Sequence, residues 1–554
     1  MADPMIPAGG YSVFTALLIF MIASIGLGIY AQRRIDRSTF LQGYFLGNRA
    51  LGAWALALTA TVQSGGTFMG FPALAYSHGW ITSLWIAGYM MVPLTGFAVI
   101  GKRMAQLSRR TGAITVPDLI RERYGSPAAG AIASLLIIVF MSCMMVAQFK
   151  AGAIVMKLAW PGSDAFAPAA GDVDWAYLTG LAVFAVAVVS YTMVGGFLAS
   201  VWTDLFQSLM MLVGVMILLL LTVPTVGGLE SATREAVAVT DANFASGPGY
   251  GTTGRAFLTP GLAVSFFCVW VFAGIGSPAS MVRVMAMDST DVLRKSIVLL
   301  ALYNCLIYLP LVAICVAGRA IIHHLDKPDE IIPRLALTVT GGLPGGSLVS
   351  GLILAAPFGA IMATVSCYLL VISSGLVQDL YLRFLRPHAG MREVRLVTYA
   401  SMALIGALAI AANVRPVKYL QVLVVLSGTS SAATFVAAAI MMCYWRRATA
   451  AGTIAAMLAG SGTMATLFFF GWLQRFAWAA VDAGTGSAFL TSIASALGPD
   501  PGIGIADPFR PYYLLGVDPI LWGLPISAAA GILVSLCTKP PPEDYVARLF
   551  DRTS

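Results

Sequence analysis

Charge is what this chain has least of. Lys, Arg, Asp and Glu make up 10% of its 554 residues, against about 25% in soluble domains. So few charges cannot clothe a globule of this size in water, and a soluble fold is excluded. Histidine is scarcer still: His78, His323, His324 and His388 all lie at the ends of apolar segments or between them. The signature of an intramembrane enzyme, paired acids or an HExxH motif inside a span, is missing. No enzyme is expected. The seven cysteines (Cys143, Cys268, Cys305, Cys315, Cys367, Cys443, Cys537) fall within apolar segments without CxxC spacing. They read as small packing residues, not as a disulfide or metal framework.

What is present is apolar length. Hydrophobic residues make up 58% of the chain and its mean hydropathy is +0.84. Thirteen apolar spans can be marked, near 11–31, 51–77, 80–101, 128–157, 175–195, 198–224, 257–282, 296–320, 347–379, 396–414, 419–445, 449–473 and 512–537. Each is close to the ~20 residues a helix needs to cross hydrocarbon. Of the 33 Lys and Arg, twenty-two fall on one set of alternate connections, ten on the other, and Lys150 within a span. Basic connections stay in the cytoplasm, so the N-terminus is expected outside and the C-terminus inside a cell (inner) membrane. The net charge of +8 is thus topology rather than a nucleic-acid footprint. The first span lacks a preceding basic region and is too long for a signal-peptide core. The tail after Lys539 is too short to fold alone.

Two of the spans are interrupted, five spans apart. Gln63-Ser64-Gly65-Gly66 breaks the second, and Ala273-Gly274-Ile275-Gly276-Ser277-Pro278 breaks the seventh. Unpaired backbone at membrane depth survives only where it lines an enclosed cavity. Paired interruptions in corresponding places point to the midplane site of a secondary transporter. The expected architecture is an all-α polytopic membrane protein with two inverted five-helix repeats, the first helix of each broken. Residues 1–40 carry an extra N-terminal helix, 41–225 the first repeat, 226–446 the second, and 447–554 two more helices with a short tail.

Four strings then resemble one family. Tyr191–Gln207 reads YTMVGGFLASVWTDLFQ, and Leu352–Tyr381 reads LILAAPFGAIMATVSCYLLVISSGLVQDLY. With Tyr44–Gly52 (YFLGNRALG) and Gly276–Arg283 (GSPASMVR), they resemble the sodium:solute symporter family, nearest its pantothenate and proline branches. The likeness runs from about residue 40 to 450. It implies the leucine-transporter type of fold, in agreement with the repeat read from the breaks.

The resemblance also implies a sodium site joining the break of span 2 to the middle of span 9. Its ligands would be the carbonyls of Ala60, Gln63 and Ala360 with the hydroxyl of Thr364. The remaining position falls on Ala363, where the family usually has serine. The alternative for Thr364 is a hydroxyl bonded to its own helix, and for Ala363 closer packing. Asp204, just beyond Gly195-Gly196, maps to the family's cytoplasmic sodium-release path. The hydroxyls of a second ion site would map to Ser366 and Cys367. Asp204 could otherwise be a helix-start acid facing the dipole, or a proton carrier.

The solute is expected between the breaks. Gln63, Ser64 and Ser277 offer hydrogen bonds, and free N–H groups at half-helix starts favour a carboxylate. By resemblance Thr67 matches a contact position of sugar carriers and Trp270 a stacking position of proline carriers. Trp270 could equally be filler. Gln148 and Lys150 are unusual for a core helix. Lys150 either balances a solute carboxylate or snorkels outward. Phe68, Phe266 and Phe267 suit an acid with an apolar body. The expected activity is cation-coupled symport, with sodium, of a small organic carboxylate such as pantothenate, a related monocarboxylate or an amino acid, by alternating access. Proton coupling through Asp204 is the alternative, and a transporter-like sensor a more distant one. The partners are this solute, sodium or a proton, and the lipid bilayer, with no nucleic acid and no obligatory protein partner.

Overall fold

The computed structural model describes residues 10–32, 44–45, 51–60, 64–161, 174–249, 257–416, 420–483, 487–498, 502–504 and 510–551. Among these residues the chain is helical, with one isolated bridge between Leu51 and Met287. The labels used below are α1 (Tyr11–Gln32), α2 (Ala53–Ala60), α3 (Phe71–His78), α4 (Pro127–Ala159), α5 (Trp175–Thr225), α6 (Pro260–Gly276), α7 (Pro278–Met285), α8 (Thr290–Ile321), α9 (Gly346–Ser374), α10 (Met391–Ala412), α11 (Leu420–Tyr444), α12 (Ala450–Asp482) and α13 (Ile520–Cys537).

Helix starts follow local chemistry. Ser126 and Thr259 cap α4 and α6 by accepting the amides of Ala129 and Leu262, and each is followed by a proline. Proline at that position loses no hydrogen bond, because its missing N–H would have been unpaired. The break in α5 has a different cause. Gly196 takes φ +62°, and a Cβ there would stand 2.6 Å from the Tyr44 ring. Only glycine fits that turn.

Eleven helices among the described residues are long and apolar enough to cross a membrane, or twelve if the bent pair α6 and α7 is one span. The expectation was thirteen, and the difference lies in the second and third spans. The spans expected at 51–77 and 80–101 meet in one helical run, Gly66–Thr111. Gly79 interrupts that run with φ +73° and ψ −146°, but a 3-10 turn over Gly79–Ile81 follows at once. No loop separates the two arms.

Burial separates centre from rim. The apolar cores of α9 and α11 are 83% buried, against 28% for α1 and α13. Outward faces expose Ile19, Val186 and Leu220, as lipid contact requires. The two interrupted spans are also tied together. Leu51 N–H donates to the Ala286 carbonyl and Asp288 N–H to the Leu51 carbonyl, joining the approach to α2 with the end of α7.

Candidate binding site

Both interruptions lie where the sequence places them. α2 ends at Ala60, Ser64 is not helical, and helix resumes as a π-turn at Gly66–Gly70 leading into α3. In the second, α6 stops at Gly276 and Ser277 is extended (φ −80°, ψ 114°). α7 then begins at Pro278, bent by 41°. The two breaks face one cavity. Ser64, Gly66 and Thr67 line it from one side, and Trp270, Ser277 and Ser280 from the other.

The amides exposed by the first break are mostly partnered. Gly65 N–H donates to Gln148 Oε1 at 2.7 Å, and Gly66 N–H to Ser64 Oγ at 3.1 Å. Ser64 N–H donates to Thr67 Oγ1, which also meets the Tyr308 hydroxyl at 2.9 Å. The expectation that this half-helix offers free donors to a carboxylate is therefore corrected. Gln148 is off the cavity wall and serves as a cap, because a helix start must satisfy its first amides.

Lys150 is a second correction. Its Nζ lies 2.6 Å from Asp329 Oδ2, with both side chains almost fully buried. It is not on the cavity wall and does not reach outward. Asp329 also accepts the amide of Leu420 at the start of α11. A lysine at this depth needs a counter-charge, and the segment between α8 and α9 supplies it.

Three polar atoms on the wall have no partner among the described residues: Trp270 Nε1, Gln421 Oε1 and Ser431 Oγ. Buried polar atoms left unpaired are costly. Trp270 meets the edge of Tyr89 at 5.4 Å between ring centroids, and Tyr89 lies 4.8 Å from Tyr308. None of the described residues on this wall carries a formal charge. Gln421, Ser431 and the tyrosines escaped the sequence reading. Polar residues within the apolar run Leu420–Tyr444 were the available signal.

The sodium ligands implied by resemblance divide. Gln63 lies outside the described residues. The backbone of Ala60 ends α2, where helix carbonyls lose their partners. Ala360, Ala363 and Thr364 are buried in mid-α9, and α9 abuts the break. A Cβ on Gly65 would stand 3.4 Å from Ile361. Thr364 Oγ1 donates to the Ala360 carbonyl at 2.9 Å, the intrahelical bond weighed above. Its oxygen lone pairs can still face a cation.

Asp204 is buried against Arg283, with Nη2 to Oδ2 at 2.8 Å. Ser200 donates to the same carboxylate oxygen at 3.4 Å and meets Ser366 Oγ at 3.0 Å. Asp204 and Ser366 are thus brought together through Ser200.

A model of one family, described as "Sodium:solute symporter family", matches residues 44–460. The chain is 32% identical to a sodium/pantothenate symporter of Escherichia coli (strain K12), over 82% of this chain and 90% of that protein. It is 26% identical to a sodium/proline symporter of the same strain, over 82% and 87%. In structure it is similar to a substrate-bound, outward-open Na+-coupled sialic acid symporter. That likeness has a TM-score of 0.68 at 18% identity and covers 96% of this chain and 98% of the other. A family match that runs unbroken across both interrupted helices and the cavity between them makes this chain a member of the sodium:solute symporter family.

Proposed function

We propose that the protein is a secondary active transporter that moves a small organic carboxylate of the pantothenate type into the cell with sodium. Sodium is the coupling ion of the family to which it belongs. Its relatives of known activity are transporters of pantothenate and proline. The observation that carries the carboxylate reading is the uncharged cavity wall joined to the break of α2. A lone carboxylate entering such a wall would leave water without a counter-charge, which is costly. A sodium ion bound beside it at Ala60, Gln63, Ala360 and Thr364 supplies that charge. Each ligand then raises the affinity of the other by the same factor, and that mutual dependence is symport.

Trp270, Gln421, Ser431 and Ser277 would hold the solute, with Ser64 and Thr67 shaping the break beneath it. Residues 41–225 and 226–446 would be inverted repeats exchanging the cavity between two sides, with the cytoplasm on the side of the basic connections. The Asp204–Arg283 ion pair weighs against proton coupling, since the carboxylate already has its cation.

Uptake of radiolabelled pantothenate, proline and short monocarboxylates into proteoliposomes tests the reading. An inward sodium gradient should drive accumulation of a carboxylate, and a proton gradient alone should not. Accumulation by the proton gradient alone would overturn it.

A further inference from the structure

Next to the central cavity lies a second, much smaller one, and Ala279 lines both. The smaller cavity is walled by apolar side chains such as Phe45, Phe197 and Val371, with Cys367 and Ser374. Its one charged wall residue among those described is Arg283.

Arg283 is 1% exposed, and only part of its guanidinium is used. Nη2 holds Asp204, while Nε and Nη1, with the Cys367 thiol alongside the guanidinium, have no geometric hydrogen-bond partner among the described residues. The Phe197 ring lies 5.8 Å away. A guanidinium carries five donors in a rigid plane suited to carboxylates. Leaving two of its nitrogens dry is costly, and here they border a cavity next to the solute's own.

We propose that Arg283 is a transfer station for the solute's carboxylate on its way from the central cavity to the cytoplasm. This rests on the carboxylate reading above and adds a second site to it. In the central cavity, sodium balances the carboxylate. Once the ion departs, the nearest cation beyond Ala279 is Arg283, and the vacant Nε and Nη1 receive the anion. Asp204 keeps the station weak. Two carboxylates on one guanidinium repel each other, so the solute is passed on rather than trapped. A site on a conduction path must bind well enough to admit and loosely enough to release.

The test uses the full chain in proteoliposomes with radiolabelled pantothenate. Arg283→Gln is combined with Asp204→Asn, so that no buried charge is left alone. Equilibrium binding should stay within about threefold of wild type while pantothenate exchange slows about tenfold or more, the pattern of a lost step rather than a lost binding site. Arg283→Lys, which keeps the cation, should exchange faster than the double variant. Exchange at the wild-type rate in the double variant would overturn the station and leave the carboxylate reading standing. So would a rise in the dissociation constant that matches the loss of exchange, because Arg283 would then serve the central site or the fold. If the wild-type protein exchanges no carboxylate but accumulates a neutral solute with sodium, both readings fall together.

Discussion

Lys150 and Asp329 are 179 residues apart in sequence and 2.6 Å apart in space. Their pairing fastens the segment between α8 and α9 to α4, and Asp329 extends the tie to the first amide of α11. Since α4 also caps the first break through Gln148, one helix braces both the unwound backbone and the segment between α8 and α9.

This brace yields the first prediction. Removing one partner of a buried ion pair leaves the other charge stranded, at a cost of about 3–5 kcal/mol, whereas replacing both with apolar groups can be neutral. Lys150→Met and Asp329→Leu should each lower the melting temperature in detergent, and the two combined should recover most of it. Additive losses in the combined variant would show that the pair is not the source of the effect.

Gln421 is the second. Its Oε1 lies so near Gly70 that a Cβ there would approach to 2.3 Å, and it has no donor among the described residues. Gln421→Leu should raise the KM for the solute about tenfold at saturating sodium with kcat nearly unchanged, as expected for losing a bond worth about 1–2 kcal/mol. Initial uptake rates against solute concentration measure it. An unchanged KM would remove Gln421 from the solute's contacts.

What could be read from the sequence, and what could not, follows from the range of each interaction. Polar and glycine residues inside apolar runs betray a break, because the cost of unwinding in lipid is local and large. Both breaks, and the turn at Gly195-Gly196, were therefore legible. The role of Gln148 was not. An amide side chain in a helix carries no mark of whether it faces a ligand or a neighbouring backbone. Lys150 and Asp204 announce that they need partners, but Asp329 and Arg283 are chosen by packing between distant helices.

Asp518, just before α13, gives a pH prediction. Burial pushes its carboxyl up to about 7, while the Ile520 amide bonded to Oδ1 draws it down. With a folded pKa above the unfolded value of about 3.9, the folded state binds the proton more tightly between those limits. Stability is therefore full at acid pH, is lost as pH rises toward about 7, and is level above it. The melting temperature of the wild-type protein should fall between pH 5 and pH 8. Asp518→Asn keeps an acceptor for Ile520 without the charge, and should flatten that fall. An equal fall in the variant would place the pH dependence elsewhere.

Ala363 poses the question of ion affinity directly. It is 2% exposed in mid-α9, one residue before Thr364, and its carbonyl accepts from Ser366 Oγ at 3.0 Å. In the proposed sodium site it stands where the family usually has a serine, so the site is short of one oxygen. Ala363→Ser adds that oxygen for a volume increase smaller than a methylene, and an extra neutral ligand is worth about one charge-assisted bond, roughly 1.5 kcal/mol. The sodium concentration for half-maximal uptake should fall about tenfold, and the solute KM at low sodium should fall with it, because coupling is reciprocal. A protein with unaltered sodium dependence and normal melting would show that this stretch of α9 does not hold the coupling ion. A fall in solute KM alone would instead place the new hydroxyl on the solute.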